Sequence, residues 1–164
     1  MEFEAQTLMN LSAIKSCLRF CLFSGLIILS GCASVSDIKP VANYSTTVSY
    51  AWSLRGAPYH YGKSSPEEGF DCSGFVQHVY QHQGIALPRT SKGMAQSLLQ
   101  VPKNELHSGD LVFFNTDGHP YSHVGIYVNN DNFIHAPSQR TGKVLVSSLK
   151  NKYWESRFSC ARRP

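Results

Sequence analysis

The segment DCSGFVQHVYQHQG, residues 71–84, contains the clearest helix signal in the sequence. Apolar side chains recur at positions 72, 75, 76, 79 and 80, which is the spacing of one helical face. Asp71 is a favoured N-cap residue, and Gly84 suits the position just beyond a helix end. We therefore predict an amphipathic helix with Cys72 in its first turn.

The pattern around this helix changes from helical to β-rich along the chain. We predict a short helix over 46–54, an irregular loop over 59–69 and a second helix over 91–99. Five short β-rich runs follow, at 110–114, 123–128, 132–135, 144–147 and 157–161. Helices first and strands afterwards predict an α+β domain whose N-terminal helices pack on a central antiparallel sheet of about five strands.

The N-terminal segment is typical of a bacterial export signal. Lys15 and Arg19 precede an apolar run over 20–29, about half the roughly 20 residues that a membrane-spanning helix needs. The run ends in the sequence LSGC, which resembles a lipobox and predicts cleavage after residue 31 and a lipid on Cys32. The alternative is an ordinary secretory signal with a chance cysteine. Met9 is a second candidate for the start, because the preceding residues include two glutamates.

The rest of the chain has the size of one domain. We predict a lipidated tether over 32–45 and a single folded domain over 46–164. The formal net charge of +4 is spread without basic runs, which argues against a nucleic-acid partner.

Cys72 and Cys160 are the two thiols that the predicted mature chain keeps free of lipid. In an exported protein they could form a disulfide. A thiol at a helix start, however, meets unpaired N–H groups and the helix dipole, which favour the nucleophilic thiolate. The small residues Ser73 and Gly74 also leave room for a substrate carbonyl there. The alternative is that Cys72 is only the first residue of the buried helix face.

Two histidines downstream match the base and the orienting group that a cysteine nucleophile needs. His123 begins one predicted strand and His135 ends the next. With a three-residue loop at 129–131, both rings lie on one face of the sheet as diagonal neighbours, about 5–8 Å apart at Cβ. A two-residue loop places them on opposite faces. A zinc site built from Cys72 and both histidines is the weaker alternative, because local pairs of ligand residues are absent.

Three segments in this order resemble the NlpC/p60 family of cell-wall cysteine peptidases: DCSGFV at 71–76, SHVGIY at 122–127 and FIHA at 133–136. The linking segments LPRTS at 87–91 and GDLVFF at 109–114 agree with it, and the likeness covers roughly 46–164. Together with the lipobox, it points within that family to the Spr-type murein endopeptidase lipoproteins of Gram-negative bacteria.

The resemblance implies a papain-like fold in which Cys72 attacks, His123 moves the proton and His135 orients His123. It adds Tyr59, Asp71 and Ser73 as residues near the oxyanion or the substrate. The family usually shows Tyr-x-aromatic-Gly-Gly here, whereas this chain has YHYGK at 59–63, so Tyr61 is an alternative to Tyr59.

The substrate also follows from the resemblance, which implies hydrolysis of amide bonds in peptidoglycan stem peptides or their cross-links through a thioester acyl-enzyme. It implies no metal or organic cofactor, and a protein held by its lipid in the outer membrane, facing the periplasm. Which bond is cut, and whether an adaptor or a protease regulates the enzyme, stay open. A thiol acyltransferase or amidase with another substrate, and a non-catalytic lipoprotein that binds the cell wall, are the alternatives.

We expect Cys32→Ser to release the protein from the outer membrane. The lipobox is complete, and Ala33 is not the aspartate that resembles an inner-membrane retention signal. Membrane fractionation of the variant and the intact mass of the native protein test this. A variant that still sediments with the outer membrane, together with a native protein that carries no lipid mass, would show that the prediction is wrong.

Overall fold

The computed structural model describes residues 44–164, so the predicted export signal, Cys32 and most of the predicted tether lie outside the described residues. Residues 44–164 contain four α-helices, α1 Tyr44–Ser53, α2 Cys72–His82, α3 Ser91–Ser97 and α4 Lys152–Glu155, with a 3₁₀ turn at Lys103–Glu105. The strands are β1 Ser64–Ser65, β2 Gly69–Phe70, β3 Leu99–Val101, β4 Leu111–Phe114, β5 His123–Asn129, β6 Asn132–His135, β7 Leu145–Ser148 and β8 Phe158–Arg163. Within residues 44–164, no helix has both the length and the apolar character that crossing a membrane would require.

The main sheet has six antiparallel strands in the order β3-β8-β4-β5-β6-β7. The α+β class is confirmed, and the additional strand is β3.

We predicted that the second helix continues to Leu99, but α3 ends at Ser97 because Leu98 has an extended backbone. The chain then pairs with the C-terminal strand, Leu99 opposite Arg163. The loop predicted over 59–69 is also more regular than expected, since β1 and β2 form a small hairpin in it.

Two contacts fix the start of α2, and each of them requires a particular residue. Asp71 caps the helix by accepting a hydrogen bond from the Gly74 backbone N–H at 2.6 Å. A Cβ on Gly74 would overlap the Lys63 carbonyl oxygen, so only glycine allows this close approach. Gly84 follows the helix with a φ of +76°, as predicted for that position. The cap and the close approach together place Cys72 at the first residue of α2.

The two faces of the main sheet bury separate apolar clusters. On one face, Val124, Ile126 and Ile134 pack in the cluster that also contains the apolar side of α2. On the other face, Phe114 and Phe133 pack with the Trp154 side chain of α4. We did not predict α4, a single turn that Asn151 caps through the Tyr153 N–H. This turn covers the face of the sheet that carries His123 and His135.

The β5–β6 hairpin departs from the predicted loop and still has the predicted register. Ile126 pairs with Ile134 and Tyr127 with Phe133, but Asn129 then pairs with Asn132. The connection is therefore a two-residue turn, Asn130 and Asp131, with φ of 47° and 62°. A two-residue turn alone would have moved the histidines to opposite faces. The register shift between Tyr127 and Asn129 accommodates one extra residue in β5. This residue compensates for the shorter turn, so the side chains of His123 and His135 lie on the same face of the sheet.

Gly125 lies on the same face as the two histidines, in close contact with Phe133 and His135. A Cβ at this position would lie 2.7 Å from Phe133 Cδ2 and 3.1 Å from His135 Cβ. A methyl group would have to displace both side chains, which the packed face resists. Gly125 is thus required by the packing of its neighbours.

We expect Gly125→Ala to lower the free energy of unfolding by about 1–3 kcal/mol, the usual cost of overpacking a filled core. Gly93→Ala is the matched control in α3, because its Cβ would meet only side-chain atoms of Pro88 and Thr90, at 3.0 Å. Alanine also has the higher helix propensity there, so we expect a smaller loss. Denaturant unfolding of both variants tests this, and equal losses would contradict the packing role of Gly125.

Candidate active site

Cys72 and His123 line the same cleft, which has a volume of about 530 Å³. The start of α2 supplies Asp71, Cys72 and Ser73, and the start of β5 supplies His123. The cleft is completed mainly by residues of four loops, among them Tyr59, Tyr61, Arg89, Thr90, Thr116 and Pro137. The predicted residues of the cleft therefore meet at one place, with His135 directly behind His123.

A chain of two hydrogen bonds runs back from His123 into the sheet. Nε2 of His123 lies 2.7 Å from Nδ1 of His135, and Nε2 of His135 lies 2.9 Å from Oγ of Ser147. Both rings are buried, with exposures of 3% and 0%. Ser147 was not predicted as a site residue. It lies on β7 opposite Phe133, and therefore on the same face of the sheet as His123 and His135. A serine at an inward-facing position of a β-rich run is the sequence feature that could have indicated it.

Trp154 closes the same site from the side of α4. Its ring stacks on His123, with centroids 5.3 Å apart and planes 29° apart, and meets His135 edge-on at 4.8 Å. The indole restricts the two imidazoles to one orientation and shields their hydrogen bond from water, which strengthens it. Trp154 was not predicted as a site residue because the short helix that carries it was not predicted.

Cys72 and His123 are both neutral at rest. Burial, followed by the Asp71 carboxylate, raises the pKa of the Cys72 thiol to about 11, although the backbone N–H groups of Val124 and Ser73 act in the opposite direction. Burial lowers the pKa of His123 to about 4. Burial and then His123 also hold the pKa of His135 well below 6.5. The thiolate expected from the helix start is therefore not the resting form, since burial outweighs the backbone donors.

Asp71, which precedes Cys72, connects several segments of the site through hydrogen bonds. Its carboxylate accepts hydrogen bonds from the Gly62 N–H at 2.9 Å, the Gly74 N–H at 2.6 Å and both ends of the Arg89 guanidinium, at 3.0 and 2.6 Å. Arg89 also donates to Ser73 Oγ at 2.9 Å. Asp71 and Ser73 thus hold the loop before β1, the start of α2 and the turn before α3 together. Arg89 is a further residue that the sequence analysis did not single out.

Tyr59 and Tyr61 both line the cleft but differ in their surroundings. Tyr59 packs against the core, and its backbone N–H donates to the Gly142 carbonyl at 2.9 Å. Burial, followed by Cys72 and Asp71, raises the pKa of its phenol. Tyr61 is 86% exposed. Of the two rings, Tyr59 is the one held in place near Cys72.

Cys160 lies away from the cleft. Both Cys72 and Cys160 are free thiols. Cys160 is in β8 opposite Phe113, and it packs against the main core. Among the residues described here, no group of three or more histidine, cysteine or carboxylate side chains has an arrangement suited to a metal ion.

Comparison with known proteins gives the family. A model of the NlpC/P60 family matches residues 56–163. The chain belongs to the NlpC/P60 family. It is thus a cysteine-type peptidase, and the papain-like α+β fold that we predicted is confirmed.

Relatives support the assignment over different shares of their length. The chain is 43% identical over 113 residues to the murein DD-endopeptidase MepH of Escherichia coli K12, covering 66% of this chain but 41% of that protein. It is 39% identical over 156 residues to the probable endopeptidase NlpC of the same strain, covering 89% of this chain and 99% of that one. An NlpC/P60 family protein from Bacillus cereus ATCC 10987 has a crystal structure with a TM-score of 0.71 and 31% identity, covering 76% of this chain and 41% of that chain.

We expect acid to destabilise the fold as the pH falls from about 6.5 to about 4. The unfolded chain protonates His123 near pH 6.5, whereas the folded chain keeps it neutral down to about pH 4, so protons favour the unfolded state in this window. The loss from His123 reaches at most about 3 kcal/mol, and this group contributes no slope above about pH 7. Urea unfolding at a series of pH values measures it.

His119→Gln is the matched control for this titration, because the His119 side chain is 84% exposed. We expect this variant to keep the pH dependence of the wild type, whereas His123→Gln should be less sensitive to acid over the same window. The same slope in all three proteins would contradict the neutral, buried state of His123.

Proposed function

We propose that this peptidase hydrolyses amide bonds of peptidoglycan stem peptides or their cross-links, with Cys72 as nucleophile, His123 as general acid and base, and His135 as the group that orients His123. The observation that carries the proposal is the buried 2.7 Å bond between His123 and His135 in the wall of the cleft that contains Cys72. A nucleophile, a base and a third group that fixes the base are the parts that covalent acyl transfer needs.

The hydrogen bonds determine which ring nitrogen serves the thiol. Nε2 of His123 faces His135, so Nδ1 is the nitrogen that exchanges a proton with Cys72. In this tautomer, Nε2–H of His123 donates to Nδ1 of His135, and Nε2–H of His135 donates to Ser147 Oγ. Ser147 therefore acts as a positioning residue, because it keeps His135 as an acceptor toward His123.

Attack couples proton transfer to bond formation, since thiol and imidazole are both neutral at rest. The Cys72 proton passes to His123 Nδ1 while sulfur bonds to the scissile carbonyl carbon. The C–N bond then breaks, and the leaving amine takes that proton, which leaves a thioester. Water gives a proton to His123 and its oxygen to the acyl carbon, the C–S bond breaks, and His123 returns the proton to sulfur.

Tyr59 is our candidate for a donor to the developing oxyanion. Its phenol has a raised pKa and therefore keeps its proton at neutral pH, as a donor must. It is also the half-buried tyrosine of the cleft, whereas Tyr61 is freely exposed and would lose more entropy on binding.

The substrate class and the cellular place are supported by relatives and by the N-terminal sequence. MepH is a murein DD-endopeptidase, and NlpC is a probable endopeptidase. The lipobox at Cys32 adds the proposal that the enzyme acts from a lipid anchor in the outer membrane, facing the periplasm. A cell-wall-binding lipoprotein without activity would not require the buried His123–His135 pair.

Mass spectrometry of muropeptides incubated with the purified protein tests the proposal. We expect hydrolysis to add the mass of one water and to divide a stem peptide or a cross-linked dimer at one bond. Cys72→Ala should abolish the products, and Cys160→Ser should retain most of the activity. Unchanged muropeptides with the folded wild-type protein, or full activity in Cys72→Ala, would exclude this function.

We expect a graded loss of turnover along the hydrogen-bonded chain. Cys72→Ala and His123→Ala should be lowest, since general acid–base groups contribute about 10²- to 10⁴-fold. His135→Ala should cost less, and His135→Asn less again, because an amide oxygen can accept the His123 N–H. Ser147→Ala should be the mildest, about tenfold or less.

Turnover and melting temperature measured on the same samples separate orientation from packing. If His135 only fills space, both of its substitutions lower the melting temperature and leave turnover per folded molecule intact. That outcome would remove His135 from the catalytic group. Ser147→Thr keeps the hydroxyl, and it should recover part of the turnover that Ser147→Ala loses.

A further inference from the structure

A second hollow of about 590 Å³ adjoins the catalytic cleft, and Thr116 lines both. One wall is the start of the loop between β4 and β5, with Asn115, Thr116 and Gly118, and the other is the segment 156–159. A substrate that extends past the catalytic residues on the Thr116 side enters this hollow. Its lining is therefore part of what a long substrate would contact.

The two walls are tied together, so the hollow is formed without a ligand. The Asn115 backbone N–H donates to the Arg157 carbonyl at 2.8 Å, and the Asn115 side-chain oxygen accepts from the Gly118 N–H at 2.8 Å. Gly118 has a φ of +92°, which glycine adopts without strain. These bonds keep the two walls at a fixed separation.

The chemistry of the hollow is that of an anion site. Ser156, Ser159 and Thr116 supply hydroxyl groups, and Arg157 supplies the charge. No carboxylate is among the described residues that form its walls.

Arg157 is already held in position. Its guanidinium carbon lies 3.9 Å over the Tyr153 ring, and Nη1 donates to the Tyr153 carbonyl at 3.1 Å and to Ser156 Oγ at 3.2 Å. These bonds occupy Nη1, and a guanidinium has further N–H groups on Nε and Nη2. The edge of the guanidinium formed by Nε and Nη2 has the geometry to bind a carboxylate through two parallel hydrogen bonds.

From these observations we infer that the hollow is a substrate subsite in which Arg157 binds a free carboxylate of a peptidoglycan peptide, away from the bond that is cut. The inference rests on the proposed function, because a stem peptide carries free carboxylates in addition to the scissile amide. It assigns Arg157 to substrate affinity and places it outside the proton-transfer chain of Cys72 and His123.

The test compares two substrates with the full chain: a cross-linked muropeptide dimer with free carboxylates, and the same dimer with its carboxylates converted to amides. We expect amidation to raise the KM of the wild type about five- to tenfold, with kcat within about twofold. In Arg157→Gln, the KM for the free dimer should already be raised, and amidation should add little, because the two changes remove one interaction. Arg157→Lys should retain part of the effect.

Arg55→Gln is the matched control. The Arg55 guanidinium also lies over an aromatic ring, 4.5 Å from the centroid of Trp52, but it lines neither the cleft nor the hollow. We expect this variant to respond to amidation as the wild type does. Melting temperatures confirm that Arg157→Gln, which loses the contact with Tyr153, is folded in the assay.

The subsite is excluded if amidation raises KM by the same factor in Arg157→Gln as in the wild type, or has no effect on the wild type. If the wild type cleaves neither dimer, the proposed function fails. In that case, calorimetry measures the Kd of both dimers with the full chain, for the wild type and for Arg157→Gln. If the effect of amidation on Kd is lost in Arg157→Gln, the subsite is supported. If that effect is unchanged, the subsite is excluded.

Discussion

The hydrogen bond between the His123 and His135 rings is the constraint on which the rest of the site depends. Two imidazoles can be buried in an apolar sheet only if their polar atoms are paired, because an unpaired polar group in this environment is costly. The surrounding residues meet that condition. Gly125 leaves space for Phe133 and for the Cβ of His135, Trp154 covers the two imidazoles, and Ser147 pairs with the outer nitrogen. The register shift near the end of β5 places both histidines on the same face.

A second constraint acts on Cys72 through its neighbour Asp71. Asp71 binds the first turn of its own helix through Gly74, and two other segments through Gly62 and Arg89. The same carboxylate caps α2 and adds to the effect of burial in raising the pKa of Cys72. Asp71 thus contributes to both the position and the ionisation of the thiol.

The sequence was sufficient to predict what local periodicity and capping determine. The helix at 71–84 and the α+β class could be derived from spacing. The shared face of His123 and His135 was predicted for a three-residue loop, whereas the hairpin reaches it through a two-residue turn and a register shift. The details that depend on tertiary contacts could not be derived from spacing. The strand Leu99–Val101 forms because β8 is available to pair with it, and the bulge that corrects the hairpin register leaves no local signal. Arg89, Ser147 and Trp154 acquire their roles from partners far away in the chain, and the ionisation of Cys72 depends on a degree of burial that a helix start alone does not reveal.

The neutral resting thiol has a consequence for chemical durability. Oxidants and disulfides react with the thiolate, and a pKa of about 11 leaves roughly one molecule in ten thousand in that form at pH 7. While the cleft holds no substrate, oxidants and disulfides therefore meet a thiol that is almost wholly protonated and react with it slowly. In the proposed mechanism, the sulfur becomes a nucleophile only when His123 receives its proton during attack, so reactivity is confined to the moment when a carbonyl group occupies the cleft.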